Sequence, residues 1–161
     1  MSNCIIRKIR KEDNTLLASI IRRTFEEFEV NTAGTVYEDP TTDDLYTLFN
    51  RKNAVCWVAV ADDTIAGCAG IYPTDGLPAG CCEFVKFYLS PLARGKGIGG
   101  QLMSTCIQSA KTFGYTHIYL ESLPAFSKAI GLYTKAGFNL LSAPMGNSGH
   151  FGCNIWMLKT M

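Results

Sequence analysis

The sequence predicts a single α/β domain in which a mixed β-sheet carries helices on both faces. Its 161 residues are the usual length of one domain with a sizeable core. Apolar residues recur with strand and helix periods in the order β-α-α-β-β-β-α-β-α-β-β, and this order implies a mixed sheet between layers of helices. We therefore expect one domain, residues 1–161, to carry the whole function.

The N-terminal half is predicted to contain a strand, two helices and a hairpin. A short strand is expected at residues 5–9, followed by an amphipathic helix. The apolar face of this helix is formed by Leu17, Ile20, Ile21, Phe25 and Phe28. Thr41 and Asp44, three positions apart, are typical of a capping box and indicate a second short helix. The hairpin is expected at residues 55–60 and 65–72.

The C-terminal half is predicted to begin with a strand at residues 82–89, which Ser90 and Pro91 end. A glycine-rich loop then leads into the most regular amphipathic helix of the sequence, which Gly114 stops. Its apolar stripe is formed by Ile98, Leu102, Met103, Cys106, Ile107 and Ala110. The remaining predicted elements are a strand at residues 115–120, a helix that begins near Phe126 and ends at Gly137, and closing strands at 138–141 and 151–158.

The charge balance argues against a nucleic-acid or anionic membrane partner. Lys and Arg total 15 and Asp and Glu total 14, so no large field of one sign is available. Charges at Arg7 and Lys8 are atypical of a signal peptide, and no stretch approaches the length of a membrane span. We expect a cytoplasmic protein.

The cysteines and histidines do not form a metal-binding pattern. The seven cysteines lack any CxxC spacing, and the adjacent pair Cys81 and Cys82 suits neither an ordinary disulfide nor a metal cage. We expect reduced, mostly buried thiols. With two histidines and no clustered carboxylates, no metal site is predicted.

The segment Arg94-Gly95-Lys96-Gly97-Ile98-Gly99-Gly100 lies between a predicted strand and a predicted helix. Glycines allow a phosphate close to the backbone, and the first turn of a helix presents unpaired N–H groups at its positive end. Arg94 and Lys96 add positive charge. The segment therefore indicates a phosphate site, with an ordinary glycine-rich turn as the alternative. A Walker A loop is excluded because no GxxxxGK motif occurs.

A dinucleotide-binding loop is a second interpretation of the same glycines. Gly95, Gly97 and Gly100 satisfy GxGxxG, and Glu121 follows about 20 residues later at a strand end. However, five residues separate the strand from Gly95, and the chain offers one parallel crossover where a Rossmann domain needs several. Nicotinamide binding stays a minor alternative.

The loop resembles the signature Arg/Gln-x-x-Gly-x-Gly/Ala of the GNAT superfamily of N-acetyltransferases. A second segment, Leu132-Tyr133-Thr134-Lys135-Ala136-Gly137-Phe138, is similar to the family's later LYxKxGF motif. The two segments occur in the family's order, with one helix and one strand between them. The predicted element order also matches the family's fold, a mostly antiparallel mixed sheet, over nearly the whole chain.

The resemblance implies acetyl-CoA as cosubstrate and assigns residues to it. The pyrophosphate would be held by Arg94, Gly95, Lys96, Gly97, Ile98, Gly99 and Gly100. The pantetheine arm would pair with the backbone of Phe87, Tyr88 and Leu89. Where the family commonly has an asparagine that touches the coenzyme, this sequence has Phe126, and Ser127 is the candidate substitute.

Acetyl transfer to an amine needs a base for the amine and an acid for the departing thiolate. Tyr133 matches the family's tyrosine, and its phenol, with a usual pKa of about 10, is a suitable acid; a core aromatic is the alternative.

Glu83 is the carboxylate of the strand at residues 82–89, and burial would raise its pKa toward that of a base. The alternative is an acid paired to Lys86 or to solvent. Alternation places Lys86 opposite Glu83 unless a bulge re-aims the strand.

Glu121 and His150 are candidate contacts to the acceptor. Glu121 ends a predicted strand, where a solvated carboxylate is the alternative. His150 lies in a glycine-flanked loop where the family often builds its acceptor pocket, and it is also a candidate base for the amine. A loop histidine with neither role is the alternative. The sequence thus predicts an N-acetyltransferase that moves an acetyl group to a primary amine by direct attack in a ternary complex, on a small-molecule or peptide acceptor. A non-catalytic acyl-CoA-binding or sensing domain is the alternative, and a homodimer is possible because sheet edges in such folds often pair.

Overall fold

The computed structural model describes residues 3–161. Within that range seven strands form one sheet in the spatial order β1-β2-β3-β4-β5-β7-β6. The strands are β1 (Cys4–Lys8), β2 (Val55–Ala61), β3 (Thr64–Tyr72), β4 (Cys81–Leu89), β5 (His117–Ser122), β6 (Asn139–Leu140) and β7 (Ile155–Thr160). Neighbouring strands are antiparallel except β4 and β5, which are parallel. The predicted mixed sheet is confirmed.

Helices cover both faces of the sheet, as predicted. They are α1 (Asn14–Glu27), α2 (Leu45–Phe49), α3 (Ile98–Thr112) and α4 (Ser127–Lys135). On one face α1 and α2 bury Leu17, Ile21 and Leu45 against the sheet. On the other, α3 and α4 bury Leu102 and Tyr133. The packing removes the apolar surface of each face from contact with water, and this burial is the main source of the fold's stability.

A β-bulge in strand β4 changes which face of the sheet its following side chains occupy. Lys86 has a positive φ of 58°, and the pairing with β3 shifts register at this point. Phe84 and Phe87 both pack on the α3 side, whereas Val85 and Tyr88 pack on the α1 side. The extra residue therefore interrupts the alternation that the sequence predicts for an ordinary strand.

The two parallel strands separate soon after they meet. Their pairing covers only Cys81 to Glu83 on β4, opposite His117 to Tyr119 on β5. Beyond Glu83, β4 keeps its pairing with β3, and β5 keeps its pairing with β7. The edge of β4 that faces β5 is thus left without a strand partner, and the sheet opens into a wedge.

Two local predictions were wrong. The last strand begins at Ile155 and not at residue 151, because the ring of Phe151 packs against Gly34 and belongs to a loop. The capping box is also absent: Asp39 caps a 3-10 turn at Pro40–Asp44, and Asp44 itself caps α2 by accepting from the backbone N–H of Thr47. In each case a local pattern was overridden by a contact with a distant segment or by a different cap.

The cysteines are all unpaired thiols, as predicted, and Cys56, Cys68, Cys81, Cys82 and Cys106 are buried. Among residues 3–161, no helix combines the length and the apolar character that a membrane crossing requires.

Candidate active site

A cleft lies in the wedge between β4 and β5. The polar and aromatic side chains that line it include Glu83, Lys86, Tyr88, Glu121, Phe126 and His150. They come from β4, from the end of β5, from the residue before α4 and from the loop before β7. Three of the residues predicted from the sequence as chemical candidates, Glu83, Glu121 and His150, therefore meet in one cleft.

The glycine-rich loop follows the end of β4 and leads into the N-terminus of α3. Gly95 and Gly97 have φ of 73° and 79°, values that favour glycine strongly. A methyl group added at Gly97 or Gly100 would meet no atom within 4 Å, whereas one at Gly99 would lie 3.2 Å from the Phe87 ring. Gly99 thus lets α3 pack on β4, and the other glycines keep the surface of the loop open.

The loop presents a run of free backbone donors. Gln101 donates to the carbonyl of Gly97, but no residue within 3–161 accepts a hydrogen bond from the N–H groups of residues 95–100. These groups stand at the positive end of a 15-residue helix. Such an arrangement is suited to binding a phosphate.

Arg94 points away from these donors. Its Nε donates to the carbonyl of Leu89 at 3.1 Å, and its NH1 lies 2.7 Å from Glu27 Oε1. The guanidinium also lies over the ring of Phe28, 5.5 Å from its centroid. In this conformation Arg94 links the start of the loop to α1 through Glu27. Lys96 is exposed.

Glu83 lies at the point where β4 and β5 part. It is 4% exposed, and its Oε1 accepts a hydrogen bond from the hydroxyl of Thr74 at 2.7 Å. Burial raises the pKa of the Glu83 carboxyl to about 7, with a further increase from the charge of Glu121, against the opposing effects of Thr74 and Lys86. A carboxylate with this pKa can accept a proton near neutral pH.

Tyr133 is buried on the α3 side of β4. Its ring packs against those of Phe84, Phe87 and Phe138 at centroid distances of 5.9 to 6.0 Å. Burial, with a smaller effect of the Cys153 thiol, raises the pKa of the phenol. Its hydroxyl is not sealed from solvent and has no hydrogen-bond partner among residues 3–161. The ring is therefore part of the core, while the hydroxyl stays available.

Glu121 and His150 hold the loop before β7 in place. Glu121 accepts hydrogen bonds from Tyr119, at 2.7 Å, and from Ser148. Ser148 in turn accepts from the backbone N–H of His150 at 3.1 Å. His150 Nε2 lies 2.8 Å from Asp39 Oδ2, which joins this loop to the segment before α2.

Comparison with known proteins agrees with this architecture. Residues 17–138 match the profile of the acetyltransferase (GNAT) family. The chain belongs to this family. It is an N-acetyltransferase built on the GNAT fold, and its single parallel strand pair within residues 3–161 excludes the nicotinamide-binding Rossmann fold considered above.

Individual relatives support the GNAT assignment. An Escherichia coli protein named uncharacterized N-acetyltransferase YjgM is 30% identical over 158 residues, which cover 98% of this chain and 95% of that protein. A GNAT-family acetyltransferase structure from Staphylococcus aureus has a TM-score of 0.81 at 18% identity, covering 98% and 99% of the two chains. The PaiA N-acetyltransferase of Thermoplasma acidophilum, solved with coenzyme A, has a TM-score of 0.72 at 21% identity, covering 99% of each chain.

In this acetyltransferase the residues expected to contact the coenzyme lie on β4, in the glycine-rich loop and first turn of α3, and at the start of α4. Phe87 and Tyr88 both line the cleft, and the side chains of Phe87 and Leu89 also pack against the core on the α3 side. Ser127 is exposed in the first turn of α4. Phe126, at the position where the family commonly has asparagine, packs its ring edge-on against Phe25 at 5.4 Å.

The sequence analysis missed Lys86, which lines the cleft. It also missed the hydrogen-bond partners of three lining residues: Asp39 for His150, Thr74 for Glu83 and Ser148 for Glu121. Burial would raise the pKa of Asp39, but hydrogen bonds from Thr41 and His150 outweigh it and hold the pKa at about 2. The Asp39-Pro40-Thr41 sequence signals a cap. No local signal indicates that Asp39 pairs with a residue 111 positions away.

Proposed function

We propose that this enzyme transfers an acetyl group from acetyl-CoA directly to a primary amine, with both substrates bound together. The observation that carries the proposal is Glu83, a buried carboxylate with a pKa of about 7, in a cleft along the strand whose far end leads into the glycine-rich loop. The base and the coenzyme-binding loop would thus be joined by one strand, β4.

The coenzyme pyrophosphate is proposed to bind the free N–H groups of residues 95–100. The open surface over Gly97 and Gly100 leaves room for phosphate oxygens. Lys96, exposed at the loop, supplies positive charge, and Arg94 stabilises the loop through Glu27 and Leu89. The pantetheine arm would then use the unpaired edge of β4 near residues 87–89.

The acceptor amine is proposed to lose its proton to Glu83, directly or through one water. The neutral nitrogen attacks the thioester carbonyl, so that a C–N bond forms and the C–S bond breaks. The unpaired backbone donors of the β4 edge are suited to stabilise the negative charge that develops on the carbonyl oxygen. Tyr133 donates its proton to the departing thiolate, since a phenol with a raised pKa is still protonated at neutral pH.

A thiol-release assay with acetyl-CoA and pools of primary amines tests the proposal. We expect turnover on at least one amine, with kcat/KM reduced about 100-fold or more in Glu83→Gln. Lys111→Met, an exposed change at the far end of α3, serves as the matched control and should retain full activity. Tight acetyl-CoA binding without turnover on any amine would instead support a non-catalytic acyl-CoA-binding domain.

A further inference from the structure

The cleft holds a buried lysine that forms no salt bridge with any side chain of residues 3–161. Lys86 is 8% exposed and lines the cleft together with Glu83 and His150. Within residues 3–161, no carboxylate oxygen lies within 4.0 Å of its Nζ. The ammonium is not sealed from solvent. Lysines removed this far from water are normally paired.

The carboxylates around Lys86 are engaged with other groups. Asp39 accepts hydrogen bonds from the hydroxyl of Thr41, at 2.7 Å, and from His150. Glu83 accepts from Thr74. Burial lowers the pKa of the Lys86 ammonium, and the charges of Asp39 and Glu83 act against that effect through space. Lys86 is therefore free to pair with an anion that enters the cleft.

The β-bulge is the reason that Lys86 reaches the cleft. Ordinary alternation would place it on the α3 side of β4 with Phe84, away from Glu83. The positive φ of 58° turns the residue to the side of Glu83 instead. A left-handed backbone at a residue other than glycine is unfavourable, and such conformations concentrate at functional sites.

We propose that the acceptor is an α-amino acid whose carboxylate binds Lys86 while its amine faces Glu83. This inference rests on the proposed function and names the class of its acceptor. One lysine that already feels the charges of Asp39 and Glu83 suits a single negative charge better than a doubly charged phosphate. A polyamine would bring a second cation against Lys86, and a simple amine would leave the ammonium unpaired.

The test compares binding of matched ligands with and without the carboxylate. The twenty proteinogenic L-amino acids and their carboxamides are titrated calorimetrically into the protein saturated with coenzyme A. We expect at least one amino acid to bind about 30-fold or more tightly than its amide, as for a buried charge pair. Equal binding of acids and amides, or no binding by any of the twenty, overturns the inference.

Variants assign that preference to Lys86. Lys86→Met keeps the length and packing of the side chain and should bring the affinity ratio of acid to amide close to one. Lys86→Arg should restore part of the ratio, and Lys111→Met should keep all of it. A preference that survives in folded Lys86→Met contradicts the role of this residue. If Lys86→Met does not fold, the ratio of acid to amide affinity in the wild type and in Lys86→Arg still tests the role of Lys86.

The same ligands separate this inference from the proposed function. Carboxylate-dependent binding without acetyl transfer supports the amino-acid site and contradicts the transferase mechanism. Acetyl transfer to amides or simple amines at rates equal to those for the acids supports the mechanism and overturns the amino-acid inference.

Discussion

Glu83 occupies an environment that opposes its charge. Its pKa is raised from 4.5 to about 7, chiefly by burial. Between these values the folded protein binds a proton more tightly than the unfolded chain does. The contribution of Glu83 to stability is thus fully present below about pH 4.5 and is lost as the pH rises through about 7. The same property lets the carboxylate act as a base at neutral pH.

Glu83→Gln should therefore stabilise the protein in a pH-dependent way. At pH 8 we expect the free energy of unfolding to rise by up to about 3 kcal/mol, because the amide avoids burial of a charge and can still accept from Thr74. At pH 4.5 the change should be near zero. Urea denaturation at the two pH values measures this, with the exposed Glu12→Gln as control. An equal change at both pH values contradicts the proposed environment of Glu83.

Tyr133→Phe separates the two roles of the tyrosine. Because the ring supplies the packing and the hydroxyl has no partner among residues 3–161, the free energy of unfolding should change by less than about 0.5 kcal/mol. Loss of the acid should lower kcat about 100-fold. Thiol release and chemical denaturation give the two values. An unchanged kcat would make Tyr133 a core residue only.

Among the elements, α3 begins with glycines that lower helix stability but leave open the space proposed for the pyrophosphate. Gly100 lies in the first turn of α3, and a methyl group there would meet no protein atom within 4 Å. Gly100→Ala should thus stabilise the fold by up to about 1 kcal/mol. The same methyl group would occupy the space proposed for the pyrophosphate, so the affinity for acetyl-CoA should fall about tenfold or more.

Thermal denaturation and calorimetric titration with acetyl-CoA measure the two effects of Gly100→Ala. Gly131→Ala is the matched control, because Gly131 is an exposed glycine of α4 that also has no neighbour within 4 Å. It should gain stability without loss of affinity. Unchanged affinity of Gly100→Ala for acetyl-CoA would show that the pyrophosphate does not bind at Gly100.

The loop before β7 depends on its link to the segment before α2. Asp39→Asn keeps an acceptor for Thr41 but removes the charge that faces His150 at 2.8 Å. We expect backbone hydrogen exchange in residues 145–152 to increase about tenfold and KM for the acceptor to rise. Asp43→Asn, which removes an exposed ion pair with Arg22, is the control and should leave this loop unchanged. Equal exchange in both variants would show that the Asp39 pair does not hold the loop.

The elements themselves were largely predictable from the sequence, and their long-range contacts were not. The stripe of α3, the end of β4 at Ser90 and Pro91 and the glycines at 95–100 are local signals, and the structure has these features where they were expected. The bulge at Lys86 depends on the register with β3, and the pairing of Asp39 with His150 depends on chain closure. Periodicity along one strand contains neither kind of information.

At the scale of the whole molecule, the short parallel pairing of β4 and β5 creates the site. It ends at Glu83 and Tyr119, so the sheet opens at the carboxylate proposed as the base. The glycine-rich loop proposed to bind the coenzyme follows the far end of β4, and the segments before α2 and before β7, joined by Asp39 and His150, lie on the proposed acceptor side. A single domain over residues 1–161 and a possible homodimer stay predictions from the sequence.

The dependence of kcat/KM on pH, measured with an amine identified by thiol release, tests the central claim most directly. In the wild type we expect kcat/KM to fall tenfold per pH unit below about pH 7, because protonated Glu83 cannot accept the amine proton. In Glu83→Gln this inflection should be absent and the remaining rate low. A wild-type profile without an inflection near pH 7, or the same inflection in Glu83→Gln, would contradict the assignment of Glu83 as the base.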